Sequence, residues 1–387
     1  MALKIALGMI VRSLDSDAEL MRFINNSEKF GHKIDCVIVA YTRKLDPDVE
    51  GRLKKKIPFY AIDINHPQYC HDEFCRLGVS EESTQTLLKC PIDTAQGLVP
   101  YGYNRTLVVV EAIIRKMDML FFVDSDVLPD VLKNTPTGPV TAEVDFFGAH
   151  LRHIKSNSIT TSEYSGYNIL PHASFDGMEA LLAGVQKSNM LEYWKSSEIH
   201  RCLALQSEKR IIVRSTKVLG GNCAFKLSVF ATLPPFFSTY YTCDGMLFLG
   251  RGEDTLIGVE IAKAGVACVD IGLNPLHDTY KNFPKEPDLL GDPDVQERLY
   301  YACTGWVGRN PFLNYILGND LNETRAYQRE RLILGMAALS KYTSNPKFNS
   351  VIKNFDESWG SIGRYMNEHE ALLEAWSEFT RKIGLSK

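Results

Sequence analysis

The chain has 387 residues, 45% of them hydrophobic and 23% charged. That composition rules out wholesale disorder and leaves room for one large α/β domain with an appendage, or for two or three average domains. Its 43 basic residues stand against 47 acidic ones, a formal charge of −4, so nothing electrostatic points to nucleic acid or to an anionic membrane.

The opening residues, MALKIALGMIVRS, carry an apolar run with one early Lys and no small-residue cleavage pattern. They read as a first buried strand rather than an export signal. No stretch reaches the roughly 18–20 uninterrupted apolar residues of a membrane span. The nine cysteines then read as reduced thiols of a cytoplasmic protein. Residues 3–11 predict a strand, 15–30 an amphipathic helix, 35–42 a second strand and 58–64 a third. Continuous apolar strands separated by helices predict a mostly parallel sheet covered on both faces. A polar segment over 65–97 interrupts this pattern. A helix over 104–116 and strands over 119–123 and 143–151 follow. Residues 153–210 have poor periodicity and read as an insertion with helical patches. Strand signals return at 211–219 and 266–273. A Pro-rich stretch over 282–294 is the best boundary, and residues 295–387 read as almost entirely helical. The expected division is a catalytic domain over 1–283 and a helical region over 284–387.

Asp-x-Asp occurs four times, so the bare pattern carries little weight. Asp15/Asp17 falls where a helix begins and is explained by capping. Asp46/Asp48 and Asp292/Asp294 enclose a Pro, a turn composition. Only Asp124-Ser125-Asp126 follows directly on an apolar strand, Leu120-Phe121-Phe122-Val123. In an open α/β sheet ligands bind at the carboxyl ends of strands. Two carboxylates in one turn there repel each other unless a cation joins them, and a hard ion such as Mg²⁺ or Mn²⁺ also bridges to substrate phosphates. The competing reading is a polar strand end with solvated acids.

Tyr103-Asn104-Arg105 near a helix start, then a strand, then Asp124-Ser125-Asp126, resembles the nucleotide-sugar-dependent glycosyltransferases of the GT-A fold. Gly220-Gly221-Asn222-Cys223-Ala224-Phe225 is similar to the Gly-Gly-Asn-x-Ala-Phe stretch of family 2 and related enzymes. Gly252-Glu253-Asp254 resembles the Gly-Glu-Asp motif of inverting members, including β-1,4-galactosyltransferases. His277 follows the next strand, where several of these enzymes carry a metal-binding His. The resemblance runs in order over residues 3–277 and leaves 65–97 and 153–210 unmatched. It implies an α/β GT-A domain, a nucleoside diphosphate sugar donor (UDP- or GDP-sugar), a glycan or other hydroxyl acceptor, and Mn²⁺ or Mg²⁺ held by Asp124, Asp126 and His277. It also implies that Asp254 is the base that takes the acceptor proton, with Glu253 orienting the acceptor or its loop.

Each assignment has a structural competitor. Acids in a first helical turn, such as Glu253 and Asp254, are favoured by capping and the helix dipole. A lone His is more often a hydrogen-bonded structural residue than a ligand. Arg12, after the first strand, and Asp63, at the end of the third, lie where this fold meets the nucleotide, yet both serve equally well as loop residues. Asn104 and Arg105 open a helix whose N-terminus suits anionic groups, while Asn104 also suits an N-cap. Ser125 and Asn222 are grouped with the donor site, and Lys281 with the diphosphate. His66, Cys70, His71, Cys75 and Cys90 form a loose group of soft ligands whose spacing matches no common zinc knuckle. Gln328 and Arg331 partly match a processive-enzyme motif but lack its Trp. The expected activity is non-processive transfer of one sugar, with 153–210 and the C-terminal helices as acceptor-side surfaces.

Three other readings share features with this one. A sugar nucleotidyltransferase needs a Gly-rich basic loop after its first strand, which Gly8-Met9-Ile10-Val11-Arg12 matches poorly. A haloacid-dehalogenase-type phosphatase places Asp-x-Asp near its N-terminus. A non-catalytic sugar-nucleotide-binding protein has no use for both acidic motifs.

Overall fold

The computed structural model describes residues 3–95, 97–197 and 201–385. The early strands are β1 (Ile5–Leu14), β2 (Cys36–Leu45), β3 (Phe59–Asp63), β4 (Met119–Asp124), β5 (Val127–Thr135), β6 (Gly138–Glu143) and β7 (Ile159–Thr161). Two short ones follow, β8 (Gly166–Tyr167) and β9 (Leu203–Ala204). Then come β10 (Val213–Arg214), β11 (Asn222–Lys226), β12 (Tyr240–Cys243), β13 (Met246–Leu249), β14 (Cys268–Asp270) and β15 (Pro275–His277). Eight of them form the main sheet in the order β10-β14-β7-β11-β4-β1-β2-β3. It is parallel except where β11 and β10 run against their neighbours.

Alternation along the central strands divides their side chains between two apolar layers. Ala6, Ile10, Leu120 and Phe122 join a core with Leu107, Val108, Trp376 and Phe379. Leu7, Met9, Phe121 and Val123 face Leu20, Phe23, Phe146 and Phe147 on the other side. Both faces are covered, which is why these strands read as unbroken apolar runs. The expected α/β class, with a mostly parallel sheet and a helical C-terminal region, is the observed one.

Several local expectations are corrected. Residues 143–151 are not a strand: Phe146–Ile154 is a helix whose N-cap Asp145 accepts from the Gly148 N–H at 2.8 Å. Its short apolar run fits either periodicity, and the cap together with burial of Phe146, Phe147 and His150 decides for helix. The polar 65–97 segment holds two helices, Gln68–Leu77 and Glu81–Leu88, anchored by buried Cys70, Phe74, Leu87 and Leu88. Residues 211–219 supply only the two-residue edge strand β10, which leaves Ile211 68% exposed. The hairpin of β5 and β6, unforeseen in the sequence, follows directly on the Asp-Ser-Asp turn. Asp17 sits at a helix start without capping it and instead pairs with Arg52 at 2.9 Å, whereas Asp46 and Asp292 do cap helices.

The C-terminal region consists of helices Pro293–Leu317, Leu321–Thr343, Val351–Gly360 and Ile362–Lys382, with one 3₁₀ turn between the second and third. Trp306, Trp359, Leu332 and Met336 share a core with Met178, Leu181 and Leu182 of the 153–210 segment. Helix Met178–Gly184 approaches helix Leu321–Thr343 backbone to backbone. A Cβ on Gly184 would lie 2.6 Å from the Leu332 Cα, so only glycine fits there. Trp376 crosses to the sheet and donates from Nε1 to the Phe230 and Leu233 carbonyls, both at 3.1 Å. Among the described residues no helix is long and apolar enough to cross a membrane.

Candidate active site

The chain leaves β1 toward β2 and β3 on one side, while β4 pairs with the other side of β1. The carboxyl ends of β1 and β4 therefore flank a topological switch point, where an open α/β sheet presents its crevice. Asp124, the last residue of β4, lies opposite Ile10, and Arg12 stands two residues further along β1. Because β11 runs antiparallel, its first residue, Asn222, pairs with Val123 and brings Gly220-Gly221 to the same edge.

One buried cation joins the two acidic motifs. Arg105 is 2% exposed, on a helix spanning Tyr101–Ile114 that is buried on every side. Its Nη2 donates to Asp124 Oδ1 at 2.9 Å and its Nε to Glu253 Oε1 at 3.0 Å. Its Nη1 donates to the Gly220 carbonyl at 2.7 Å. Burial opposes the charge, but Asp124 and Glu253 overcome it and hold the guanidinium pKa above its ordinary value. Burial raises the Glu253 pKa, the Asp254 charge adds to it, and Arg105 acts against both. The paired glycines are required by this frame. A Cβ on Gly220 would collide with the Arg105 guanidinium, and one on Gly221 would lie 2.5 Å from Asp124 Oδ2.

Arg105→Met should therefore strand two carboxylates, one of them buried, without a counter-charge. We expect a loss of about 3–5 kcal/mol, the usual cost of breaking a buried ion pair, measured by urea unfolding. Arg105→Lys should recover only part of it, because an ammonium cannot bridge three acceptors in one plane. A loss below about 1 kcal/mol in the Met variant would refute the frame.

Asp254, the second residue of helix Glu253–Ala264, is half-buried beside this frame. Its Oδ1 accepts from the Thr255 N–H at 2.7 Å and its Oδ2 from the Gly220 N–H at 3.4 Å. Glu253 faces inward on Arg105 and is buried, which leaves it the loop-holding part of its expected role rather than direct contact with an acceptor.

Asp126 and His277 meet on the other side. β15 pairs antiparallel with β5, which starts one residue after Asp126, and places His277 opposite Val127. His277 Nε2 lies 3.2 Å from Asp126 Oδ1, and Arg298 Nη2 lies 3.6 Å from Asp126 Oδ2. Burial raises the Asp126 pKa, but His277, Arg298 and the exposed Lys281 outweigh it and keep the carboxyl below its ordinary value. The His277 ring packs on Tyr164, with centroids 4.6 Å apart, and its Nδ1 is 3.1 Å from Thr279 Oγ1. Asp124, turned to Arg105, does not join this pair. Among the described residues no three His, Cys, Asp or Glu side chains gather as a ready-made metal cage. A carboxylate and an imidazole still suit Mn²⁺, and Mg²⁺-type ions commonly take one or two protein ligands and complete their shell with water and substrate phosphate.

The remaining candidates separate. Asn222 is fully buried, and its Nδ2 donates to the Ser162, Glu163 and Leu273 carbonyls at 3.0–3.1 Å. It is a clamp under the site, which corrects its grouping with the donor. Asn104 is equally buried, three residues inside a helix that starts at Tyr101, and so is not an N-cap; its Nδ2 reaches Thr42 Oγ1 at 3.5 Å. Arg12 is exposed and stacks its guanidinium on Gly97. Asp63 accepts from the Asn65 N–H at 3.0 Å, and Ser125 is half-buried in the acidic turn. Cys70 donates to Glu111 at 3.3 Å rather than joining a zinc set. The sequence reading missed Arg298 and Tyr164, which lie in segments without a motif. It also passed over Arg251, although its position directly before Gly252-Glu253-Asp254 was a signal.

No protein-family model matches the chain, and no curated protein matches it in sequence. Solved structures similar to it include a mycobacterial protein, at 13% identity and a TM-score of 0.40, covering 82% of this chain and 76% of that one. Another is glucosyl-3-phosphoglycerate synthase from Mycobacterium tuberculosis in complex with Mn²⁺, uridine diphosphate and phosphoglyceric acid, at 13% identity and a TM-score of 0.41, covering 82% and 80%. The same synthase with Mn²⁺ and uridine-diphosphate-glucose is similar at 12% identity and a TM-score of 0.39, covering 82% and 80%.

Proposed function

We propose that this chain is a metal-dependent glycosyltransferase with a GT-A domain over residues 1–283 and a helical region over 284–387. It moves one sugar from a UDP- or GDP-sugar to an acceptor hydroxyl with inversion at the anomeric carbon. The observation that carries this reading is the Arg105 bridge. It ties the acidic turn after β4, which holds Asp126, to the start of the Glu253–Ala264 helix, which holds Asp254, although the two acids are 128 positions apart in the chain.

Asp126 and His277 are the residues that would hold Mn²⁺ or Mg²⁺, which when bound neutralises charge on the departing diphosphate. Arg298 and Lys281 add positive charge on that side. Asp254 takes the proton from the acceptor hydroxyl as its oxygen attacks the anomeric carbon. Arg105 holds Asp124 and Glu253 in fixed positions by hydrogen bonds, which leaves Asp254 as the carboxylate of this frame that is not tied to a cation. Arg12 and Asp63, at the ends of β1 and β3, lie on the nucleotide side of the crevice.

The test is a melting-temperature panel of nucleoside diphosphates and their sugars with and without Mn²⁺. A ligand that binds only the folded state raises the transition, by an amount set by its concentration relative to Kd. Stabilisation by UDP or GDP only when Mn²⁺ is present supports the reading, and no stabilisation by any member overturns it.

His277 provides a sharper check. Its imidazole must be neutral to ligate a metal. His277→Ala should raise the Mn²⁺ concentration needed for half-maximal activity by about 10–100-fold, the range seen when metal shells are weakened. Excess Mn²⁺ should restore part of the rate, since Asp126 remains. Superimposable Mn²⁺ titrations for wild type and variant would make His277 purely structural.

A further inference from the structure

Near Asp254, three cations have no salt-bridge partner among the described residues. Arg309, on helix Pro293–Leu317, is 2% exposed, and its Nε is buried without a hydrogen-bond partner. Its Nη2 donates to Asn310 Oδ1 at 2.9 Å, and its Nη1 reaches Thr255 Oγ1 only at 3.4 Å; both acceptors are neutral. The guanidinium lies against the start of helix Glu253–Ala264, where a Cβ on Gly252 would be 2.9 Å from Nη1. Gly252 gives that helix start no N-cap side chain, and although Asp254 Oδ1 takes the Thr255 N–H, the helix dipole adds to the positive field.

Lys187, in the turn after helix Met178–Gly184, holds Nζ 5.4 Å from the centre of the Trp306 ring. Arg251 lies over Gly305, with its backbone N–H donating to the Gly305 carbonyl at 2.8 Å. Gly305, Trp306 and Arg309 belong to adjacent turns of one helix, so the three cations gather along one stretch of it. None of them has a salt-bridge partner among the described residues.

The electrostatics agree with this count. Burial pushes the Lys187 pKa down to about 7; Arg309 acts the same way, Asp254 opposes, and Lys217 and Arg251 add to the fall. Burial likewise lowers the Arg309 pKa to about 10 against the pull of Asp254. Lys217 is already paired with Glu163, and the acids Asp124 and Glu253 are taken by Arg105. Among the described residues, Asp254 is the acid that acts on both Lys187 and Arg309 and is in no salt bridge of its own. A buried guanidinium without a counter-ion is costly, and an anion entering here would relieve that cost through charge-assisted hydrogen bonds.

We propose that Lys187, Arg251 and Arg309, with the start of the Glu253–Ala264 helix, form an anion subsite beside Asp254 that selects an acceptor bearing a phosphate or carboxylate as well as its reacting hydroxyl. The acceptor part rests on the reading of Asp254 as the base. The subsite orients the acceptor and undergoes no chemistry itself.

Inorganic phosphate and malonate are the probes, titrated against the melting temperature of wild type, Lys187→Met, Arg251→Gln and Arg309→Met. We expect saturable stabilisation of wild type that needs no Mn²⁺ and persists with Mn²⁺ and saturating UDP or GDP. The anion that binds more tightly identifies the headgroup. Lys187→Met should weaken its apparent Kd at least tenfold, and Arg251→Gln should weaken it measurably. These two variants carry the test if Arg309→Met does not fold. With UDP- or GDP-hexoses as donors, hydroxy acids or sugar phosphates should be used at least tenfold better than neutral polyols, and Lys187→Met should erase that preference. Non-saturable stabilisation, an unchanged Kd in both Lys187→Met and Arg251→Gln, or preference for neutral polyols would overturn the proposal. Complete competition by UDP or GDP would also overturn it, by placing the anion in the donor's diphosphate position. If phosphate binds as expected and no nucleotide does, the glycosyltransferase reading fails, the acceptor part fails with it, and the anion site stands.

Discussion

Asp126→Ala should abolish Mn²⁺-dependent stabilisation by UDP or GDP and reduce transfer by more than about 10³-fold, some 4 kcal/mol of transition-state stabilisation. The carboxylate stands among His277, Arg298 and Lys281, which keep it ionised despite its burial. Removing it takes away an anionic ligand and leaves those positive groups to repel any cation. Its backbone carbonyl, which accepts from the Asp278 N–H at 2.8 Å, is unchanged by the substitution, so the turn should persist and the variant should melt as a folded protein. Asp15→Ala is the matched control from the other Asp-Ser-Asp. Asp15 is exposed and lies 3.5 Å from an equally exposed Lys44, so its loss should cost at most about 1 kcal/mol. Equal loss of activity in the two variants would refute the assignment.

Asp254→Asn should lower kcat by about 10²–10⁴, the range for removal of a general base, and leave donor affinity within about twofold. The amide oxygen can take the place of Oδ1 and keep the 2.7 Å bond from the Thr255 N–H, while only the long 3.4 Å contact from the Gly220 N–H to Oδ2 is given up. The helix start therefore stays in place while the proton acceptor is lost. Steady-state kinetics with the donor varied separates the two effects. Weakened donor binding at normal turnover would assign this carboxylate to the nucleotide side instead. The anomeric configuration of the wild-type product is an independent check, and retention would count against a base at this position.

The two predictions rely on different kinds of information. Asp126 stood out in the sequence because an apolar strand ends just before it, and burial of that strand makes the position of the turn local knowledge. The alternation of β1, β2 and β4 was legible for the same reason: both faces are covered, so apolar runs mark strands. Where a short apolar run was capped by an acid, as at Asp145, local pattern could not separate helix from strand. The helices within 65–97 were hidden by their polar outer faces, since only a few of their residues are buried.

What the sequence by itself determined was the class of the sheet, the helical character of the last hundred residues and the two acidic motifs. Tertiary structure alone decided how those motifs relate. Arg105 bridges 19 positions to Asp124 and 148 to Glu253, and no periodicity encodes such a pairing. It exists because the antiparallel β11 carries Gly220-Gly221 to the edge where β4 ends. The same holds for Asn222, whose motif position suggested a ligand contact but whose buried Nδ2 is taken by backbone carbonyls and whose Oδ1 faces His150 Nε2. Arg298, Arg309 and Lys187 came to the crevice only because the 153–210 segment and the C-terminal helices bury one shared apolar core against each other. A charged residue on a helix reads as solvated until that packing removes the water, and only then does its missing partner acquire meaning.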